Sequence, residues 1–239
     1  VSRPAPLAVV YADADFVAVD KPAGLLMHRS DLAAEVGEVL MQRLRDQLRR
    51  RVYLVHRLDR PTSGVVLFGL SAAAARAACA QFEARSATKT YLGVVRGWAD
   101  PAGVIDHPLV EEEGRAPQTA TTAYRCLATA TWPLAVGRYP SARYSLVAVQ
   151  PQTGRRHQIR KHFHHASHPL IGDTTHGDGR HNRVFREHLD CHRLLLHAAR
   201  LRLPHPAGGE LDVQAPPSGA FAAVLERLGW SAAAQSVYR

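Results

Sequence analysis

Cysteine is scarce in this chain. Cys79, Cys126 and Cys191 lie far apart, odd in number and without a C-x-x-C spacing, which removes zinc-ribbon and dithiol redox readings. A reducing, cytoplasmic setting is therefore expected. Long apolar runs are also missing: none reaches the roughly 18 residues that cross a bilayer. The N-terminus lacks the charged, apolar and cleavage regions of a secretory leader. A soluble protein without a membrane partner is expected. No P-loop and no G-x-G-x-x-G occurs, so the simplest nucleotide-cofactor readings fall away. Lysine is nearly absent, with only Lys21, Lys89 and Lys161, so the positive charge is carried by arginine.

Acids are outnumbered 21 to 30 by Lys and Arg, leaving a formal charge of +9 on 239 residues. That balance suits a phosphate backbone, although a merely basic enzyme would show it too. The length is sufficient to bury a core without disulfides or metal.

Short β-prone runs at Leu7–Tyr11 and Phe16–Asp20 flank an acidic turn, Ala12–Asp15. From Glu35 to about Arg50, Val36, Leu40, Leu44 and Leu48 repeat at i+4 and predict an amphipathic helix with a basic face. Val65–Leu70 reads as a strand, Ser71 as a helix N-cap, and the alanine-rich stretch to about Arg85 as the helix. Lys89–Arg96 alternates, with Tyr91, Gly93 and Val95 on one face and Leu92 and Val94 on the other. Further strands are expected in Val104–Leu109, Thr119–Leu127 and Arg143–Gln150. A helix is expected over about Arg155–Ala166, helix or strand at Leu194–Leu203, and a last helix over about Ser218–Leu228. No internal repeat or long linker appears. Short turns between successive strands favour an α+β architecture around a largely antiparallel sheet, in one catalytic domain spanning 1–239.

Two clusters carry candidate chemistry. Val55-His-Arg-Leu-Asp-Arg-Pro-Thr-Ser-Gly64 leads a cation-flanked carboxylate, Asp59, into a Pro/Gly turn. A guanidinium nearby favours the ionised carboxylate that a nucleophile or base requires. An aspartate that merely accepts backbone hydrogen bonds in a turn fits the same pattern. In Gln152-Thr-Gly-Arg-Arg-His-Gln-Ile-Arg-Lys-His162, a helix would place His157, Arg160 and His164 on one face, to pair with Asp59 or to form a solvated phosphate-binding surface. Tyr91 could stack on a base or sit in the core. Ten of the fourteen histidines fall between His157 and His197. With no H-E-x-x-H and no C-x-x-C, a metal site is not expected, and histidines on an RNA-facing surface are the simpler reading.

Several stretches together resemble the RluA-type pseudouridine synthases. His56-Arg-Leu-Asp59 with Thr62-Ser-Gly64 is similar to the signature of that family. Lys89-Thr-Tyr91 with Val94-Val-Arg-Gly97 resembles its second motif. Gly154-Arg-Arg-His-Gln-Ile-Arg160 with His168-Pro-Leu-Ile-Gly-Asp173 resembles its third. Lys21-Pro-Ala-Gly24, Leu196-His-Ala198 and His205-Pro206 extend the similarity over nearly the whole chain.

The resemblance implies a mixed, mostly antiparallel central sheet flanked by helices and crossed by a basic cleft. It implies Asp59 as catalytic carboxylate, Tyr91 as the base-stacking ring and Arg160 as the arginine paired with that aspartate. Arg57 matches the side chain that enters the RNA helix where the target nucleotide leaves. Neighbouring His56, Arg60, Lys89, Arg155, Arg156 and His157 are expected to touch RNA. The reaction implied needs no cofactor or metal. Lys21–Ser30, His107–Glu112, Val136–Pro140 with Arg143 and Tyr144, and His176-Gly-Asp178 with Arg180 and Asn182 resemble a tRNA-acting branch, which implies uridine 65 of tRNA as target. No S4-like RNA-binding module and no obligatory protein partner are expected, and a monomer is. Two other classes fit parts of the pattern: a catalytically silent RNA-binding protein and a metal-dependent nuclease. Ribosomal RNA is the alternative substrate within the family.

Overall fold

The computed structural model describes residues 5–27, 39–112 and 114–239. Contacts divide the chain into two compact units. One comprises the stretch up to Thr88 with Arg200–Ala215, the other Lys89–Ala199 with Pro216–Arg239.

In the first unit β1 (Ala8–Ala12) and β2 (Phe16–Lys21) form an antiparallel hairpin, followed by α1 (Leu40–Leu48), β3 (Tyr53–Leu54), β4 (Ser63–Gly69) and α2 (Ala72–Glu83). Asp13 builds the hairpin turn, its carboxylate accepting the amides of Asp15 and Phe16, each at 2.7 Å. β2 runs antiparallel to β4 from Phe16 opposite Gly69 to Lys21 opposite Gly64. All seven residues of β4 are buried, which accounts for its unbroken apolar run. Ser71 caps α2 by accepting the Ala74 amide at 3.0 Å. A side chain at Gly69 would meet the Ala75 backbone at 2.7 Å, so glycine lets α2 lie directly on β4. Phe16, Val65, Leu67, Ala75, Ala78, Leu201 and Leu211 form the core of this unit.

The second unit contains β5 (Thr88–Arg96), β6 (Ala102–Asp106), β7 (Thr121–Trp132), β8 (Ala142–Pro151), α3 (Gln158–His165), α4 (Gly179–Leu189) and the start of β9 (Leu196–Pro204). The strand order there is β9-β5-β8-β7-β6, and β5/β8, β8/β7 and β7/β6 are antiparallel. The last five residues of β9 belong to the first unit, where they pair antiparallel with β10 (Glu210–Gln214). Then α5 (Gly219–Arg227) and α6 (Ser231–Gln235) return to the second unit. Leu92 and Val94 face one core, with Tyr144, Phe185 and Phe221. Val95 faces another, with Ile159, Phe163 and Leu170, and half-buried Tyr91 packs there, as the alternation of β5 requires. The architecture is α+β with mostly antiparallel strands, as expected.

Two elements differ from the sequence expectation, and a third is described only in part. Residues 35–38 of the first amphipathic helix lie outside the described residues, and the described part is Leu40–Leu48. The helix expected from Arg155 begins only at Gln158, because His157 takes the left-handed conformation, φ 57°. Gln158 fixes the preceding loop: its Oε1 accepts from Thr153 Oγ1 at 2.7 Å and the Arg155 amide at 3.0 Å, while Nε2 donates to Thr121 O and Thr122 Oγ1. The other element that differs, α4, has only Val184, Phe185 and Leu189 as large apolar residues in a polar stretch, too few for its period to stand out. The ambiguous run at Leu194–Leu203 is a strand.

Candidate active site

The Asp59 loop belongs to the first unit. Val55 and Leu58 are buried and anchor it, Asp59 is half-buried, and Arg57 and Arg60 are exposed. Lys21, fully buried, donates through Nζ to the carbonyls of Pro22 (3.0 Å), Leu25 (2.9 Å) and Arg60 (3.1 Å). The Gly24 amide also donates to Arg60 O at 2.8 Å, and Arg60 Nε donates back to Gly24 O at 3.0 Å. The Lys21–Leu25 segment is therefore stapled to the residue after Asp59. A buried ammonium is tolerated only when its donors are filled, as they are here by three carbonyls. Gly24 at φ 87° makes the turn that brings this about. Thr62 N donates to Asp59 O at 3.1 Å, closing the Asp59–Thr62 turn. His56 Nε2 accepts the Leu67 amide at 3.1 Å, and its ring stacks on Phe82 with centroids 4.9 Å apart. That nitrogen carries no proton, and His56 packs the loop against β4.

In the second unit Arg160 is buried, 4% exposed, and forks onto Asp173. Its Nε donates to Oδ2 at 2.7 Å and an Nη donates to Oδ1 at 2.8 Å. Asp173 Oδ1 also accepts the amides of Thr175 and His176, both at 2.9 Å. Burial alone would raise the Asp173 pKa, but the hydrogen bond from Arg160 and those amides outweigh it and hold the carboxyl below the usual aspartate value. Asn182 of α4 completes the frame, donating to Asp173 O at 2.8 Å and accepting the Gly172 amide at 2.7 Å. Arg160 is thus a fixed cation, and a solvated phosphate-binding face is excluded for it.

His157 precedes α3 instead of sharing its face, and its Nδ1 lies 3.1 Å from His176 Nε2. His164 Nδ1 reaches His176 O at 2.7 Å. Burial, with neighbouring Arg160, Lys161 and His164, lowers the His176 pKa against the pull of Asp173. Lys89 sits 3.5 Å from Thr153 O, and burial lowers its pKa. Arg155 Nε donates to Thr119 O at 3.2 Å, and the Arg156 amide donates to Glu111 at 2.7 Å.

The histidine-rich segment is not simply a surface. His162 and His197 are buried; His162 has Thr122 Oγ1 at 2.9 Å from Nδ1 and His107 O at 3.0 Å from Nε2. Both nitrogens of His162 are engaged within the fold, and burial lowers its pKa. Among the described residues no group of three or more His, Cys, Asp or Glu is arranged to hold a metal ion. None of the described helices is long and apolar enough to cross a membrane.

Asp173 closes the third motif, and its sequence context assigns it no role. A signal existed: residues 114–172 contain no Asp or Glu, so Asp173 is the first acid available after α3 to a buried arginine on that helix. Lys21 stood out only as the start of the Lys21-Pro-Ala-Gly24 stretch, with no role of its own.

These features belong to a known class. A profile for RNA pseudouridylate synthases matches residues 15–165, and the chain belongs to that family of isomerases. Among curated proteins it is 50% identical over 94% of its length to tRNA pseudouridine synthase C of Pectobacterium carotovorum subsp. carotovorum, of which it spans 62%. It is 48% identical to the protein of that name from Salmonella typhi, and 46% identical to that from Vibrio cholerae serotype O1, covering 90% and 96% of those proteins. Among solved structures, human RNA pseudouridylate synthase domain containing 4 superposes with a TM-score of 0.72 at 26% identity over 93% of both chains. Human RNA pseudouridylate synthase domain containing 1 gives 0.71 at 29% identity, covering 90% of this chain and 86% of its own.

Proposed function

We propose that this enzyme isomerises a uridine of tRNA, at position 65, to pseudouridine, with Asp59 as catalytic carboxylate. The observation that carries the reading is the similarity over 94% of the chain to proteins named tRNA pseudouridine synthase C. Both units are taken to constitute one catalytic domain, working as a cytoplasmic monomer without an obligatory protein partner.

In the reaction the N1–C1′ bond breaks, the uracil turns, C5 bonds to C1′, the C5 proton leaves and N1 gains one. Nothing is added, so base and sugar need only be held. Turning the nucleotide out of its stack costs a few kcal/mol. Arg57, exposed on the Asp59 loop, suits the gap left behind. Tyr91 stacks on the extruded ring and accepts the C5 proton. Asp59 attacks C1′ or C6, or removes the C2′ proton; every route uses its ionised form. Arg160 supplies fixed positive charge, held in place by Asp173. His56, Arg60, Lys89, Arg155, Arg156 and His157 are assigned to RNA contact, His56 and Lys89 in addition to the internal bonds they make.

The test is a pseudouridine map of tRNA and rRNA from cells with and without the gene. Loss confined to position 65 of tRNA supports the proposal. Loss from rRNA alone, or from nowhere, overturns it.

A further inference from the structure

The motifs Val136–Pro140, Arg143-Tyr144 and Asp178 with Arg180 take no part in the chemistry assigned above, yet they meet in one place. A cleft of about 860 Å³ on the second unit is lined by the Val136–Arg143 segment together with Arg96, Ser167, Arg180 and His181. We propose that this cleft is a second RNA-binding site, formed by residues other than those assigned to catalysis, which grips the phosphodiester backbone of the substrate. The inference rests on the reading of the protein as an RNA pseudouridine synthase and adds where the remainder of the RNA is held.

Charge is the first argument. Four arginines, Arg96, Arg138, Arg143 and Arg180, line the cleft, and among the described residues Asp178 is the acid that ion-pairs with any of them. That acid binds Arg96 at 2.8 Å and Arg180 at 3.3 Å while capping α4. Among the described residues no carboxylate pairs with Arg138 or Arg143, so the cleft keeps an excess of positive charge that a polyanion would neutralise.

Preorganisation is the second. The Arg143 guanidinium lies over the Trp98 ring at 4.3 Å, and that of Arg138 over the Tyr139 ring at 5.1 Å while donating to its hydroxyl at 2.9 Å. A guanidinium resting on an aromatic face, as that of Arg143 does, keeps its in-plane N–H donors for phosphate oxygens and loses less freedom on binding, while Arg138 spends one donor on Tyr139 and keeps the others. Both rings stay open to solvent, Trp98 at 49% and Tyr139 at 58%, an exposure that a packing role alone leaves unused. Exposed rings beside arginines are the combination that receives a nucleic-acid strand, the rings taking bases and the cations phosphates. Gly137, at φ 62°, makes the loop turn beneath the Arg180 side chain, a left-handed conformation that favours glycine.

The test compares wild type with R138A/R143A, W98A and the exposed single variant R138E, using tRNA transcripts and steady-state pseudouridine formation. R138A/R143A should weaken tRNA binding and raise KM by about tenfold or more, since charge-assisted hydrogen bonds are lost. The slope of log affinity against log salt should flatten by about 1.5, two phosphate contacts having gone. R138K/R143K should restore most of the slope, which a structural role would not predict, and R138E should weaken binding without lowering the melting temperature. W98A should weaken binding without changing the slope by more than one contact's worth. Unchanged KM and slope in the double variant, or a loss confined to kcat, would overturn the proposal. So would inorganic phosphate displacing tRNA no better from wild type than from the double variant. If wild type makes no pseudouridine while R138A/R143A still loses tRNA affinity, the synthase reading fails and the cleft stands. Normal catalysis with undiminished binding by the variant sinks the cleft alone.

Discussion

Replacing Asp173 by asparagine tests what holds Arg160 in place. Asparagine keeps the shape of the side chain but removes its charge and turns one acceptor into a donor facing a guanidinium donor. Wild type has two bonds there, at 2.7 and 2.8 Å, between side chains 4% and 1% exposed. Breaking one partner of so buried a pair leaves an uncompensated charge, which costs about 3–5 kcal/mol. That is a large part of the roughly 5–15 kcal/mol that a folded protein has in total. Urea denaturation at pH 7 measures it. The pH profile supplies a second constraint. The folded pKa of Asp173 lies below its unfolded value of 3.8, so near pH 4 the unfolded chain binds more protons and stability rises with pH. The contribution is fully present above the unfolded value and is lost as pH falls through the folded one. The gap between wild type and D173N should therefore stay constant from pH 7 to about 5 and narrow below about pH 4. Pairing D173L with R160M should recover much of the stability lost in either single variant, because the orphaned charge is gone. A D173N penalty under about 1 kcal/mol with an unchanged acid limb, or strict additivity in the double variant, would refute the reasoning.

Three further outcomes follow from packing. Lys21→Met should destabilise by about 3 kcal/mol in urea titrations, since the buried carbonyls of Pro22, Leu25 and Arg60 lose their donor. Gly172→Ala should cost about 3 kcal/mol or more, because Gly172 has φ 79° and a Cβ would fall 1.9 Å from Arg193 O; wild-type thermal unfolding of that variant would contradict the turn geometry. Ser71→Ala should cost about 1 kcal/mol through loss of the α2 cap, read from the urea midpoint, with glycine at the same position milder.

Where local chemistry dictates structure, the sequence was readable. The β1/β2 hairpin follows from an aspartate that serves its own turn. The β4-Ser71-α2 succession follows from an apolar run, a cap and a run of alanines, and the two faces of β5 from alternation. The Asp59 loop and the Arg160 helix were visible as motifs. What stayed hidden depends on partners distant in sequence. The true start of α3 is set by Gln158 bonding to Thr121, Thr122 and Thr153. The role of Asp173 depends on an arginine thirteen positions earlier and on Asn182 in a helix whose period is too polar to detect. Nothing local to Lys21 marks it as buried; only the return of the chain at Leu25 and Arg60 makes it a buried staple. The histidines between His157 and His197 were expected on an RNA-facing surface because composition counts residues without regard to burial. The fold buries two of them, His162 and His197.

The most direct measurement is tritium release from tRNA carrying 5-tritiated uridine, with wild type and Asp59→Asn side by side and tRNA affinity measured for both. Wild type should release one equivalent of tritium per target uridine. The asparagine variant should bind tRNA as tightly and release none. Release at the wild-type rate by that variant, or tight binding by wild type with no release, would contradict the assignment of Asp59 as the catalytic carboxylate of a tRNA-modifying isomerase.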